Sequence, residues 1–233
     1  DSELGQRRTT IAEAPAVAEV PIESVVAKEP ITVICSRKGW IRTVRGHVAA
    51  DSEATYKEGD QGRFWLHAES TDKLIVFGTD GRAYTLNCDR LPGGRGHGEP
   101  VRLMVELAND REIVVLFAFQ PGTKMLVAAS DGRGLVATSD AMVGDRRAGK
   151  QILNLADGAV AAACAPAAGD SVAVIGSNRK LLVFPLAEVP EMARGRGVRL
   201  QRYHEGTLSA AATFDRREGM AWDWHYRSGD LVQ

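Results

Sequence analysis

Four copies of one strand–turn–strand unit limit what this chain can fold into. They read ITVICSRKGWIRTV (Ile31 to Val44), KLIVFGTDGRAYTL (Lys73 to Leu86), KMLVAASDGRGLVAT (Lys124 to Thr138) and SVAVIGSNRKLLVF (Ser171 to Phe184). The turn hydroxyls of Ser36, Thr79, Ser130 and Ser177 are 43, 51 and 47 residues apart (79−36, 130−79, 177−130). Periods of that length belong to radial β-repeats, in which each unit is one small sheet that cannot bury its faces alone. Function is then expected on a repeated outer surface rather than in one pocket.

The rest of the chain fits that reading. Its 233 residues are long for one compact core and ordinary for a multi-bladed all-β domain. No run approaches the ~18 apolar residues of a transmembrane helix, so membrane insertion is not expected, and the start (DSELGQRRTTIAEAP) has no signal-peptide pattern. Three cysteines, Cys35, Cys88 and Cys164, have no C-x-x-C spacing and predict buried free thiols in a reducing compartment. Residues 1–29, rich in Ala, Pro and Glu, read as a linker from an upstream catalytic domain, and residues 30–233 as the β domain.

Within that domain, short apolar runs alternate with turn chemistry such as Asp80-Gly81, Asp131-Gly132 and Ser177-Asn178. Further strands are expected upstream of the hairpins at Phe64–Ala68, Ile113–Phe119, Ala159–Cys164 and, for a fifth unit, Leu208–Phe214. Others are expected downstream, at Val101–Leu107, Ile152–Leu155 and Val198–Leu200, giving about four strands per unit, the number in a propeller blade. The central strands Leu74–Phe77, Val172–Ile175 and Leu181–Phe184 are apolar without alternation, which predicts that both faces are covered by neighbouring blades. The fifth unit ends in Met220–Trp224 and a weak hairpin at Arg227–Val232, so it reads as degenerate or closed by another segment.

A net charge of −1 excludes a wholly basic nucleic-acid binder but hides a pattern. Arg37 to Ala50 carries four bases and no acid; Arg82 to Arg102 and Arg133 to Lys150 each carry four bases against two acids; Arg179 to Arg202 carries six against two. Cations placed once per repeat form a stripe on a radial fold, and a local stripe binds polyanions despite a neutral total. Arginine is abundant here, 22 of the 29 bases, which accounts for the residue type and not for its phase with the repeat.

Catalytic signals are weak by comparison. Gly144 to Lys150 fits the phosphate loop G-x-x-x-x-G-K, but Gln151 replaces the Ser/Thr that would ligand Mg²⁺, and the following Ile152–Leu155 reads as a strand where a helix is required. The Gly-rich stretch Leu91–Gly98, with relatives at Arg146–Lys150 and Arg194–Gly197, reads either as a phosphate-contacting loop or as a solvated connector. The five histidines have no metal-ligand spacing, and no nucleophile-and-base arrangement stands out, so neither a metal site nor catalytic residues are expected. Trp222 and Trp224 read as packing residues rather than a base-stacking platform.

At this point the residues resemble a known family, the C-terminal domain of the A subunit of bacterial type IIA topoisomerases, nearer its topoisomerase IV branch, in a proteobacterium, than its gyrase branch. The resemblance is carried by Arg7-Arg8-Thr9 before the acidic linker, by ITVICSRKGWIRTV, and by Tyr56-Lys57-Glu58-Gly59-Asp60. DKLIVFGTDGRAYTL with Pro92-Gly93-Gly94-Arg95-Gly96, Gly149 to Asn154, and Gly195-Arg196-Gly197-Val198 complete it. It implies a β-pinwheel, a propeller-like ring whose blades exchange strands, here of about five four-stranded blades with the ring closed or open. It also implies binding and bending of duplex DNA on the basic rim, with cleavage in other domains. The whole enzyme would need ATP and Mg²⁺, none of it held by this piece, and would pair this subunit with an ATPase B subunit in a heterotetramer in the cytoplasm, on the nucleoid. The gyrase box Q-R-R-G-G-K-G has only partial echoes at Gly93–Gly98 and Asp145–Lys150, which disfavours strong chiral wrapping.

The residue-level reading and the resemblance converge on sequence-nonspecific phosphate contacts. The candidate DNA-binding residues are Arg37, Lys38, Arg42, Arg45, Arg82, Arg90, Arg95, Arg133, Arg146, Arg147, Lys150, Arg179, Lys180, Arg194 and Arg196. The rivals are a WD-type propeller scaffold for protein partners, whose Trp-Asp pair occurs here only at Trp222-Asp223, a propeller enzyme with a central pocket, and the gyrase wrapping domain.

Overall fold

The structure is a computed structural model that describes residues 28–50, 54–94 and 96–220. Most of the expected linker lies outside the described residues, as do Arg95, Trp222, Trp224 and the expected hairpin at 227–232.

The described residues form four antiparallel sheets. The first is built on the hairpin β1 (Pro30–Ser36) and β2 (Trp40–Arg45), with β3 (Gly62–Glu69) beside β1. The second repeats this with β4 (Lys73–Gly78), β5 (Arg82–Asn87) and β7 (Ile113–Ala118). Between β5 and β7 the chain crosses back, and β6 (Glu99–Pro100) pairs with β2 to finish the first sheet in the order β3-β1-β2-β6. The third hairpin, β8 (Lys124–Ala129) and β9 (Arg133–Thr138), is followed by β10 (Lys150–Gln151), which finishes the second sheet, and by β11 (Ala161–Pro166), which pairs with β8. The fourth, β12 (Ser171–Gly176) and β13 (Leu181–Pro185), is followed by β14 (Val198–Arg199) on the third sheet and by β15 (Leu208–Phe214) beside β12. Every hairpin after the first therefore sends a short strand to the outer edge of the preceding blade.

The strands β3, β7, β11 and β15 touch one another in succession and line the inside of the ring, which leaves β6, β10 and β14 on the rim. Among the described residues no sheet pairing joins the fourth blade to the first, and the ring they form is open. The all-β pinwheel class is the one expected, but the described residues make four blades rather than about five. Leu208–Phe214, expected to begin a fifth unit, completes the inner edge of the fourth. Each strand expected upstream of a hairpin belongs instead to the sheet of the hairpin before it. The expected strand at Val101–Leu107 is replaced by one helical turn, α1 (Val101–Met104), because Pro100 ends β6 and supplies the extended residue in front of the turn. A second turn, α2 (Ser139–Met142), is capped by the Thr138 hydroxyl accepting from the Ala141 N–H.

The unbroken apolar strands are explained by stacking. Leu74 and Val76 on β4 join a core shared with Val33, Cys35 and Ile41 of the first blade, whereas Ile75 and Phe77 join a core shared with Val127 and Leu135 of the third. Leu126, Ala128 and Val136 then meet Val172 and Val174 of the fourth. The expectation fails on β13, where Leu181 is 53%, Leu182 40% and Val183 37% exposed, because no further blade among the described residues packs on it.

Registers also correct the repeat alignment. Cys35 pairs with Ile41 as Phe77 pairs with Ala83, so the first-blade equivalent of Thr79 is Arg37 and not Ser36. In the later blades the hydroxyls of Thr79, Ser130 and Ser177 accept the N–H groups of Glu112, Val160 and Thr207, while their own N–H groups donate to the carbonyls of those residues. In the first blade the Asp60 carboxylate takes over, accepting from the Ser36 hydroxyl at 2.6 Å and from the N–H groups of Lys38 and Gln61. Partial burial works against that charge, but the hydrogen bonds, the Ser36 hydroxyl first, hold the carboxyl below its ordinary value.

Cys35 and Cys88 are buried, and burial pushes each thiol up from 9.0 to about 12, with Asp72 and Asp89 adding to the effect at Cys88. A thiol pushed up to about 12 holds about 10³-fold less thiolate near neutral pH than an ordinary one. Both cysteines are therefore expected to react far more slowly with a thiol reagent at pH 8 in the folded chain than in urea, read by peptide mass. Because the raised values favour the neutral thiols, their contribution is intact below about pH 9 and is lost as pH rises toward 12, so alkaline melting temperatures should fall over that window.

Candidate nucleic-acid interface

The rim is built by the exchanged strands, and their geometry explains the glycines that precede them. Gly98, Gly149 and Gly197 each stand one residue before β6, β10 and β14, at φ of +78°, +65° and +65°. A Cβ there would lie 2.1 Å from the Ile41 carbonyl oxygen, 2.7 Å from that of Ala83 and 1.8 Å from that of Gly134. These glycines let the chain cross onto its neighbour at backbone contact distance. The Gly-containing stretches are thus structural crossings first, and the cations sit around the crossings.

Equivalent rim positions follow from register. Trp40 pairs with Pro100, Arg82 with Gln151 and Arg133 with Arg199, which places Lys180 at the same position on the fourth blade. Three blades present Arg82, Arg133 and Lys180 there. In the first blade the residue is Trp40, and Lys57 supplies the cation with its Nζ 3.3 Å from the ring centroid. Lys57 was not among the sequence candidates, because it reaches the row from a loop outside the hairpin. Arg199 and Arg202, both exposed, were also missed, since the crossing strand that carries Arg199 is only two residues long.

Several candidates hold the rim together. Arg82 Nη1 donates to the Ala148 carbonyl at 2.7 Å, Arg147 Nε to the Met104 carbonyl at 3.0 Å, and Lys150 Nζ to the Val143 carbonyl at 2.8 Å. Arg194 donates to Asn154 Oδ1 at 3.3 Å, and Arg42 Nη1 reaches the Gly94 carbonyl at 3.5 Å. In the Gly144–Lys150 loop the lysine bonds back onto its own loop, and the residues after Gly149 form strand β10. Gln151 bridges the carbonyls of Asp80 and Leu153 with its side-chain amide, a joint between blades that Ser or Thr is too short to make.

Arg90, Arg146 and Arg147 meet in a cleft with Thr85, Asn87 and Leu103, where Asp145 is the one acid lining it among the described residues. A second groove, at the first turn, sets Arg37, Lys38 and Arg102 against Asp60, Asp110 and Glu112 and is balanced in charge. Arg37, Lys38, Arg179 and Lys180 are exposed at the turn ends, as are Arg194 and Arg196 on the last crossing. Arg45 is exposed, with its Nε 4.0 Å from the Glu29 carboxylate, a solvent-screened pair.

An unclosed ring of stacked sheets whose outer strands are donated by the following blade defines a class, the open β-pinwheel. The family described as DNA gyrase C-terminal domain, beta-propeller, matches residues 170–206. The A subunit of DNA topoisomerase 4 from Caulobacter vibrioides is 47% identical over 216 residues, 92% of this chain and 28% of that protein. The protein of the same name from Rickettsia bellii is 40% identical over 94% of this chain and 30% of its own length. The solved C-terminal domain of E. coli ParC superposes with a TM-score of 0.72 at 26% identity, covering 78% of each chain. The chain belongs to the family of DNA topoisomerase IV A subunits, and it spans less than a third of the length of these two relatives. No helix among the described residues is long and apolar enough to cross a membrane.

Proposed function

We propose that this chain is the DNA-binding and DNA-bending module of a topoisomerase IV A subunit. The observation that carries the reading is the row of cations at one register position on successive blades, Lys57 over Trp40, then Arg82, Arg133 and Lys180, flanked by the Arg90–Arg146–Arg147 cleft. Successive blades of a ring present such a row along an arc, and a duplex that follows the arc must bend. The contacts are with phosphates, so affinity comes from counterion release with little base readout. Arg37, Lys38, Arg42, Arg45, Arg95, Lys150, Arg179, Arg194 and Arg196 extend the same surface. In the whole enzyme, acting with an ATPase B subunit, ATP and Mg²⁺ in the cytoplasm, the bent duplex is the segment delivered for strand passage in decatenation and supercoil relaxation.

The test is fluorescence anisotropy of this chain with labelled duplexes of several sequences. Replacing Lys57, Arg133 or Lys180 by alanine should weaken binding to every duplex alike and lower the salt slope by ~1 for each phosphate left unpaired. A change in sequence preference, or no loss from any of the three, overturns the reading and favours a scaffold that binds protein partners.

A further inference from the structure

The third blade carries a charge arrangement that no other blade repeats among the described residues. Where its donated strand meets the rim strand, Arg199 of β14 stands directly opposite Arg133 of β9. The same position holds Arg82 against Gln151 in the second blade and Trp40 against Pro100 in the first. The Leu200 N–H donates to the Gly132 carbonyl at 2.8 Å, one residue on from the pair, so Arg133 and Arg199 occupy a non-hydrogen-bonded position of the ladder. Cα atoms at such a position are about 4.5 Å apart, and the two side chains leave on the same face. Like charges set directly opposite in this way destabilise a sheet.

Nothing among the described residues offsets that repulsion. Neither guanidinium has an ion pair or a side-chain hydrogen bond there. Asp131, just before Arg133, uses its Oδ1 to accept the Arg133 backbone N–H at 3.2 Å, and Glu191, on the approach to the crossing, lies 2.6 Å from Lys124 Nζ. Arg196 and Arg202, on either side of Arg199 and both exposed, add charge of the same sign. Leu135, two residues along β9 on the face of Arg133, packs in the core shared with the second blade, so the pair opens at the rim between the second and third blades.

We propose that Arg133 and Arg199 form a clamp that holds one backbone phosphate of the duplex between them, the strongest single anchor on the rim. The clamp rests on the DNA-binding reading and deepens it by fixing where along the arc the duplex is held. A phosphate between the two guanidiniums turns their repulsion into two charge-assisted contacts, and the planar fork of each matches phosphate oxygens. A charge arrangement that costs stability in the free chain is thereby satisfied only in the complex. Arg82 and Lys180, one cation to a blade on either side, then guide the two arms of the duplex away from the held point.

The experiment measures anisotropy of a labelled duplex with this chain and its Arg133→Gln, Arg199→Gln and Lys180→Gln variants, singly and in pairs. Glutamine is the residue that the second blade carries opposite its arginine, so the pairing of β14 is kept. Each single change in the clamp should weaken binding about ten-fold, and more than Lys180→Gln does. Arg133→Gln with Arg199→Gln should cost little more than either alone, because one phosphate serves both, whereas Arg133→Gln with Lys180→Gln should multiply the single losses. The salt slope should fall by ~1 only when both clamp residues are replaced. Multiplied losses within the clamp would overturn the proposal by giving each arginine its own phosphate, and a loss at Arg199→Gln no greater than at Lys180→Gln would remove the anchor. Both results leave the DNA-binding reading standing, which fails instead if the unsubstituted chain does not bind duplexes. Without DNA and at low salt, Arg199→Gln should raise the melting temperature by ~1–3 °C as the repulsion is relieved. A fall would make Arg199 a structural residue and overturn the clamp. At constant ionic strength, exchanging chloride for inorganic phosphate should leave duplex affinity unchanged. A loss of affinity that requires Arg199 would assign the pair to free phosphate instead.

Discussion

Raising monovalent salt from ~50 to ~200 mM is expected to weaken binding of this chain to duplex DNA by ~10³–10⁵-fold, the loss that follows from ~6–10 phosphate contacts. Four blades, each offering about two cations to the rim, reach that number. The net charge is −1, so attraction to the protein as a whole cannot produce such a slope. Only cations gathered on one surface can, and the surface proposed for this is the register row together with the cleft of Arg90, Arg146 and Arg147. Anisotropy titrations across the salt range give the slope directly. A value near zero would remove phosphate binding as the function of the rim.

Replacing Gly197 by valine is expected to be the most damaging single change to the fold. Its φ of +65° disfavours any Cβ, and a Cβ there would sit 1.8 Å from the Gly134 carbonyl oxygen and 2.9 Å from the Leu135 nitrogen, backbone atoms that cannot swing aside. Strain and displacement of β14 together should cost about 2–5 kcal/mol, which for a domain of this size lowers the melting temperature by about 5–15 °C. Gly98→Val should act similarly through the Ile41 carbonyl. Gly122 separates the two contributions, because it has φ +74° but nothing within 4 Å of its Cβ position. Gly122→Ala should cost only the backbone share, about 1 kcal/mol. Equal losses at Gly197 and Gly122 in thermal melts would mean that the crossing is not tightly packed.

The contrast between those glycines shows what could be read from the chain and what could not. The hairpins were legible because their partners are close in sequence, as with Phe77 and Ala83 across one turn, and their period announced a ring. The strand exchange was implied by the family resemblance and by no local pattern, because Gly98 is a glycine on account of Ile41, a contact that no neighbouring residue announces. The turn hydroxyls misled by one residue in the first blade, where Ser36 imitates Thr79 in sequence while Arg37 holds its place in space. Cation spacing was visible in the charge count, but Lys57 joins the row only by stacking on Trp40, a contact the hairpin repeat does not encode. The burial expected for Leu181 to Val183 failed for a different reason. The strand has the composition of an inner blade and stands at the outer edge of the last described one.

The donated strands also set an order on synthesis. Ile41 waits for Glu99, Ala83 for Lys150 and Gly134 for Val198, delays of 58, 67 and 64 residues (99−41, 150−83, 198−134). On the ribosome no blade can finish while it is the newest one, because its outer strand is still to be made. At ~5–20 residues per second the edge stays bare for seconds, a bare edge being where chains join wrongly. A stall or a break between two hairpins would thus spoil the blade already built as well as the one being added.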